Sequence, residues 1–196
     1  MPSTLANLAS KKLILGSNSP RRQELLRGLG LEFEVRVHSI EENLPPDLPA
    51  AYAAAYLSKL KADAFPGPLD GNEILITADT VVIDHGKVLG KPSNELEAFE
   101  MLKSLSGTTH TVMTAVTLKD HKNSITLEDE TEVTFRFLEE EEIWYYLKQY
   151  QPYDKAGSYG IQEWIGFIGV SSITGSYFTV MGFPLHLVYQ QLKKWV

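Results

Sequence analysis

The sequence predicts an α/β protein in which a mixed, elongated β-sheet is flanked by helices. Three observations predict it. Short apolar runs of strand length alternate with helical periodicity over the first hundred residues, and two long Thr- and Val-rich runs joined by a polar turn follow. Glycine and proline clusters separate these segments. A chain of 196 residues fits one domain over positions 1–196, able to bury roughly 70% of its unfolded surface.

Lys12–Leu15 is a short apolar strand that stops at Gly16-Ser17-Asn18-Ser19-Pro20. Glu24, Leu25, Leu26 and Leu29 continue with helical character up to Gly30. Glu32–Val37 alternates as a second strand. The Pro45-Pro46 and Pro49 cluster leads into a helix from about Ala50 to Phe65, with Tyr52, Tyr56, Leu60 and Ala64 as its stripe. Glu73–Ala78 and Thr80–Ile83 are β-rich, which places Asp79 at a bend between two strands and hence at a surface. A turn at Asp84-His85-Gly86 leads into a short strand ending at Leu89.

Asn94 with Glu97 reads as a capping box for a helix ending near Leu105. Thr109–Leu118 and Ser124–Phe137 form an antiparallel hairpin, and Leu138–Gln149 a helix. Glycines 157, 160, 166, 169, 175 and 182 point to short strands and loops between Gln151 and Gly182, where backbone must approach something closely. Pro184 opens a last helix ending near Val196.

Composition excludes several classes. The chain is 43% hydrophobic and 22% charged, with a formal net charge of −7, so its global field repels nucleic acid and anionic membranes, and any anion site must be local. Cysteine is absent, which removes disulfides, thiolate metal sites and a thiol nucleophile. Met1–Ser10 shows no leader pattern and no run of 18 apolar residues occurs, so a cytoplasmic protein is expected. The five histidines, at 38, 85, 110, 121 and 186, show no ligand spacing, and no Gly-x-Ser-x-Gly is present.

The segment Gly16-Ser17-Asn18-Ser19-Pro20-Arg21-Arg22 carries the most chemistry. A strand-to-helix loop exposes backbone N–H groups at the positive helix end, Ser17 and Ser19 add hydroxyls, and Arg21 and Arg22 supply forks that match phosphate. An ordinary capped helix with two solvated arginines explains the same residues. Glu41, Glu42 and Asp79 form an acidic group of the kind a Mg²⁺-dependent phosphoryl enzyme needs, although each carboxylate alone reads as a turn former or solvated charge. Lys61 and Lys91 are cationic candidates, with a snorkelling surface lysine as the plain reading of Lys61. Trp144, Tyr145, Tyr146, Tyr150 and Tyr153 could stack a base, but their helical spacing favours core packing.

Taken together, Leu15 to Leu26, Ala78-Asp79-Thr80-Val81-Val82, Gly90-Lys91-Pro92, Leu105-Ser106-Gly107, Asp154 to Gln162 and Gly175-Ser176-Tyr177 with Gly182-Phe183-Pro184-Leu185 resemble the Maf family of nucleoside triphosphate pyrophosphatases. Six blocks in order span nearly the whole chain. Gly16, Asn18 and Phe183 depart from the usual family pattern.

The resemblance implies two lobes around a deep cleft, as in the inosine triphosphate pyrophosphatases. It implies hydrolysis of a nucleoside triphosphate to monophosphate and pyrophosphate with a divalent cation, Mg²⁺ or Mn²⁺. By position, the resemblance makes Asp79 the proton acceptor; Ser17, Arg21, Arg22, Lys61 and Lys91 hold phosphates; and Glu42 binds the metal with Asp79 or orients the water. Arg21, Thr80 and Gln162 resemble the specificity positions of the branch acting on dTTP and UTP. A homodimer is also implied. A competing expectation is a nucleotide-regulated binding protein that inhibits septum formation, and an RNA-binding module is disfavoured by the −7 charge.

Overall fold

The computed structural model describes residues 3–195; Met1, Pro2 and Val196 lie outside the described residues. Seven strands form one mixed sheet in the order β2 (Phe33–Val35), β1 (Lys12–Leu15), β3 (Glu73–Asp84), β5 (Thr109–Lys119), β6 (Ser124–Phe135) and β7 (Val170–Thr174), with β4 (Lys87–Leu89) paired to β3. β1 runs parallel to both neighbours, with Leu13 opposite Phe33 on one side and Ile74 on the other. β4 and β7 are antiparallel to β3 and β6.

The helices are α1 (Pro20–Gly28), α2 (Ala53–Asp63), α3 (Glu95–Leu105), α4 (Glu140–Tyr150), α5 (Trp164–Gly169), α6 (Tyr177–Val180) and α7 (Leu185–Lys193). None among the described residues is long and apolar enough to cross a membrane.

The contacts divide the chain into two compact units. The first takes residues up to Asp79, Thr114–Asp129 and Gly182 onwards, and the second takes Thr80–Met113 and Glu130–Met181. In the first unit Leu13, Ile14, Leu15, Leu26, Leu75 and Ile76 are buried around the parallel strands. The second unit packs Phe99, Leu102, Phe135, Ile143, Tyr146 and Ile165 into its own core.

Several expectations are corrected. β3 is one unbroken strand, so Asp79 lies inside a ladder rather than at a bend, and it is buried. Its apolar neighbours Ile74, Leu75, Ile76, Val81 and Val82 supply enough burial to carry the strand through one acidic position. The buried face of α2 is Ala53, Ala54, Leu57, Ser58 and Ala62, while Tyr52 stays exposed, so the aromatic stripe is not the packed one. Small residues let this helix approach the strands closely: Thr77 donates to the Ser58 carbonyl at 2.8 Å, and the Ser58 and Thr117 hydroxyls meet at 2.9 Å.

Between Gln151 and Gly182 the chain forms a 3-10 helix at Ala156–Ser158 and two short α-helices, α5 and α6, besides the strand β7. The Asn94 cap is present, accepting from the Glu97 N–H at 2.9 Å, but Glu97 reaches back to Ser93 and does not close the box. The last helix ends at Lys193. A 3-10 helix at Ser3–Leu8 had no sequence signal beyond its apolar Leu5 and Leu8, both buried here. Asn7 ties it to the C-terminal end by donating to the Leu192 and Trp195 carbonyls at 2.8 and 2.9 Å.

Candidate active site

The first unit assembles the loop after β1 from local bonds. The Gly16 N–H donates to the Ile76 carbonyl at 2.8 Å, which pins the loop to β3. A Cβ at Gly16 would lie 2.9 Å from the Thr77 Cγ2 methyl, a close approach that suits glycine at this departure from the family pattern. Ser19 is the N-cap of α1, its hydroxyl accepting from the Arg22 N–H at 3.4 Å, and Pro20 opens the first turn. The buried Ser17 hydroxyl accepts from the Ser19 N–H at 3.2 Å and from Arg22 Nη1 at 3.4 Å.

Arg21 and Arg22 differ sharply. Arg22 donates Nε to the Gly182 carbonyl and Nη1 to the Ala78 carbonyl, both at 2.9 Å, so it staples α1 to the residue before Asp79. Burial lowers its pKa below the ordinary arginine value, with Arg21 adding to that shift while Asp79 and Glu42 oppose it. The partly exposed Arg21 side chain makes no hydrogen bond or ion pair among the described residues. Its fork is open to a ligand.

Asp79, Lys61 and Glu42 also come together. The Lys61 ammonium pairs with the Asp79 carboxylate and stands 3.1 Å from Glu42 Oε1. Lys61 reaches them from α2, Asp79 from β3 and Glu42 from the loop after β2. Two carboxylates therefore share one cation here, flanked electrostatically by Arg22. Glu41 is exposed and accepts from Asn43 at 3.2 Å, outside this group.

Thr80, Lys91 and Gln162 belong to the second unit. Thr80 is partly buried on β3, and Lys91 is exposed beyond β4. The Lys91 loop is tied to the segment leading to Gln162, because the Gly157 N–H donates to the Gly90 carbonyl at 3.1 Å. Gly157 needs its positive φ of 67°, and a Cβ there would meet Val82 Cγ2 at 2.9 Å. Gln162 is partly exposed in a turn before α5.

The sequence did not single out the bonds that support these residues. The Ala78 and Gly182 carbonyls that hold Arg22 carry no residue-type signal, because any backbone offers them. In the second unit Tyr146 binds Glu163 and the Gly160 N–H, and Glu163 lies 3.1 Å from Lys155 Nζ. Of the aromatic group, Trp144 stacks on Phe99 at 4.5 Å and Tyr146 on Tyr150 at 5.1 Å. Buried His110 pairs with the Tyr159 hydroxyl at 2.8 Å. Among the described residues no group of three or more His, Cys, Asp or Glu could hold a metal unaided.

Comparison with known proteins matches residues 12–195 to the family described as Maf-like protein. The chain is 50% identical to a dTTP/UTP pyrophosphatase of Flavobacterium johnsoniae, covering 94% of this chain and 95% of the relative. It is 52% identical to the dTTP/UTP pyrophosphatase of Phocaeicola vulgatus and 49% to that of Bacteroides thetaiotaomicron, each over 97% of this chain and 99% of the relative. A solved structure, the Staphylococcus aureus Ham1 protein, aligns at 12% identity with a TM-score of 0.42, over 64% of this chain and 72% of that one. With its sequence matched from the first strand to the last helix, this chain belongs to the Maf family.

Proposed function

We propose that this protein, working as one domain, hydrolyses dTTP and UTP to the monophosphate and pyrophosphate. The observation that supports it most directly is the convergence of Asp79 and Glu42 on the Lys61 ammonium, beside the arginine that staples the loop after β1. The names of its relatives give the substrate class.

In this reading Asp79 accepts the proton of the attacking water. As the new P–O bond forms, the bridging P–O bond breaks and charge builds on the departing pyrophosphate. Ser17, Arg21, Lys61 and Lys91 hold the phosphate oxygens and stabilise that charge. Arg22 contributes to the phosphate site too, while its bonds to the Ala78 and Gly182 carbonyls fix the backbone that carries Asp79.

A divalent cation fits the residues present. Two carboxylates already gather round one cationic group, and a donor set of one or two carboxylates completed by phosphate oxygens is what Mg²⁺ prefers. Asp79 and Glu42 would hold it, or Mn²⁺, and the ion would neutralise phosphate charge.

Base choice rests on Arg21, Thr80 and Gln162. The Gln162 amide can donate to and accept from a uracil or thymine edge. Absence of cysteine and a charge of −7 support a cytoplasmic enzyme of free nucleotides rather than of nucleic acid. A homodimer, implied by the family resemblance, completes the proposal and is tested by sedimentation.

The substrate test incubates the protein with Mg²⁺ and each common nucleoside triphosphate in turn, and resolves the products by chromatography. Selective appearance of dTMP and UMP with pyrophosphate is expected. Diphosphate with orthophosphate would mark a different phosphohydrolase.

A further inference from the structure

We propose that Thr77 and Ser58 are positioning residues for hydrolysis: their reciprocal hydrogen bonds lock α2 onto β3 in the register that brings the Lys61 ammonium to the Asp79 carboxylate. This rests on the reading of Asp79 as the proton acceptor.

The clamp lies wholly within the first unit. Thr77 Oγ1 donates to the Ser58 carbonyl at 2.8 Å, and Ser58 Oγ donates back to the Thr77 carbonyl at 3.3 Å. Both residues are buried. The Ser58 hydroxyl also meets the buried Thr117 hydroxyl of β5 at 2.9 Å, and Thr117 meets Thr126 of β6 at 3.0 Å. One proton order satisfies the chain: Thr126 donates to Thr117, Thr117 to Ser58, and Ser58 to the Thr77 carbonyl. A buried polar chain satisfied in this way specifies one arrangement of the elements it joins.

The Thr77 side chain is held from both sides. Its Cγ2 methyl faces Gly16, where an added Cβ would stand 2.9 Å from it, so the stiff β-branched side chain turns its hydroxyl to α2.

Spacing carries this register to the site. Ser58 and Lys61 are three apart on α2 and share a face, and Thr77 and Asp79 are two apart on β3 and share a face. The advance is about 4.5 Å along the helix and about 6.6 Å along the strand. With Ser58 set against Thr77, Lys61 comes nearly level with Asp79, and its stem covers the remaining ~2 Å. The ion pair between those two side chains is the result. The other buried residues of α2, namely Ala53, Ala54, Leu57 and Ala62, are apolar, and apolar packing is non-directional. A lysine on a flexible four-carbon stem sets no register either. The directional bonds of Thr77 and Ser58 do.

The test is a double-mutant cycle on dTTP hydrolysis with Mg²⁺, using T77V, T77S, K61M and the T77V/K61M double variant, with D79N as reference and a melting curve for each. T77V keeps the shape of the side chain and loses the donor. Expected is a fall of about fivefold or more in kcat/KM for T77V, while T77S, whose hydroxyl still donates, stays within about twofold of wild type. Adding T77V to K61M should change kcat/KM by less than about twofold, because the clamp then has no ammonium to place. A merely structural threonine would cost the same factor in both backgrounds. Equal factors in the two backgrounds, an unchanged T77V, or a T77S loss as large as that of T77V each overturn the clamp. Should T77V fail to fold, S58A, which removes the return bond without adding bulk, takes its place in the same cycle with the same outcomes. A D79N variant that retains turnover overturns the reading of Asp79 and the clamp with it. An inactive D79N beside equal factors in the two backgrounds overturns the clamp alone.

Discussion

The ammonium of Lys61 on α2 is ion-paired with the carboxylate of Asp79 on β3, and the two side chains are only 15% and 9% exposed. Neither is a solvated surface charge. The pair gives the proposed proton acceptor a fixed neighbour and gives Lys61 a role the plain snorkelling reading lacks.

Replacing Lys61 by Met is expected to lower kcat/KM for dTTP about 100-fold, since it removes a phosphate-holding charge and leaves two carboxylates facing each other. Stability should fall by on the order of 2 kcal/mol, because a largely buried carboxylate loses its partner. Denaturant unfolding and steady-state kinetics on one preparation check both. Unchanged values in both would return Lys61 to the solvated-charge reading.

Arg21 and Arg22 should separate cleanly. Arg22→Lys cannot span the Gly182 and Ala78 carbonyls with one fork, so it should cost about 2 kcal/mol of stability and lower the melting temperature by several degrees. Arg21→Lys should leave the melting temperature within a degree or so and raise KM for dTTP. Equal melting shifts would contradict the division of labour.

His110 supplies a pH signature. Burial lowers its pKa from 6.5 to about 4, so the folded protein keeps the ring neutral where the unfolded chain protonates it. Its contribution is complete above pH 6.5 and is lost as pH falls towards 4, by about 3 kcal/mol in all. His110→Gln removes the titration and can still pair with Tyr159. The wild-type margin over this variant should shrink steadily between pH 6.5 and 4 in thermal melts, and a constant margin would show that His110 does not titrate there.

Much of this was legible in the residues. The strand, loop and helix around Ser17 and Arg22 follow from an apolar run, a glycine, a serine cap and a proline, all local signals that tertiary structure leaves in place. The unbroken β3 was not legible, because an acidic residue inside an apolar run reads as a break until Lys61 arrives from another element to neutralise it. The packed face of α2 was misread for a related reason: periodicity weighs large residues, while close helix-to-strand approach selects the small ones. Tyr146 was read as core packing, which its burial bears out, but its hydroxyl also serves a turn fourteen residues away. Nothing in spacing announces such a bond.

The role of Asp79 as proton acceptor is tested most directly by comparing Asp79→Asn with the wild-type protein on dTTP and Mg²⁺, following dTMP and pyrophosphate, with the melting curve as a check on folding. The variant is expected to keep its cooperative unfolding and to lose turnover by about 100-fold or more. A folded variant that retains more than about a tenth of wild-type kcat, a barrier change under ~1.4 kcal/mol, would contradict that role.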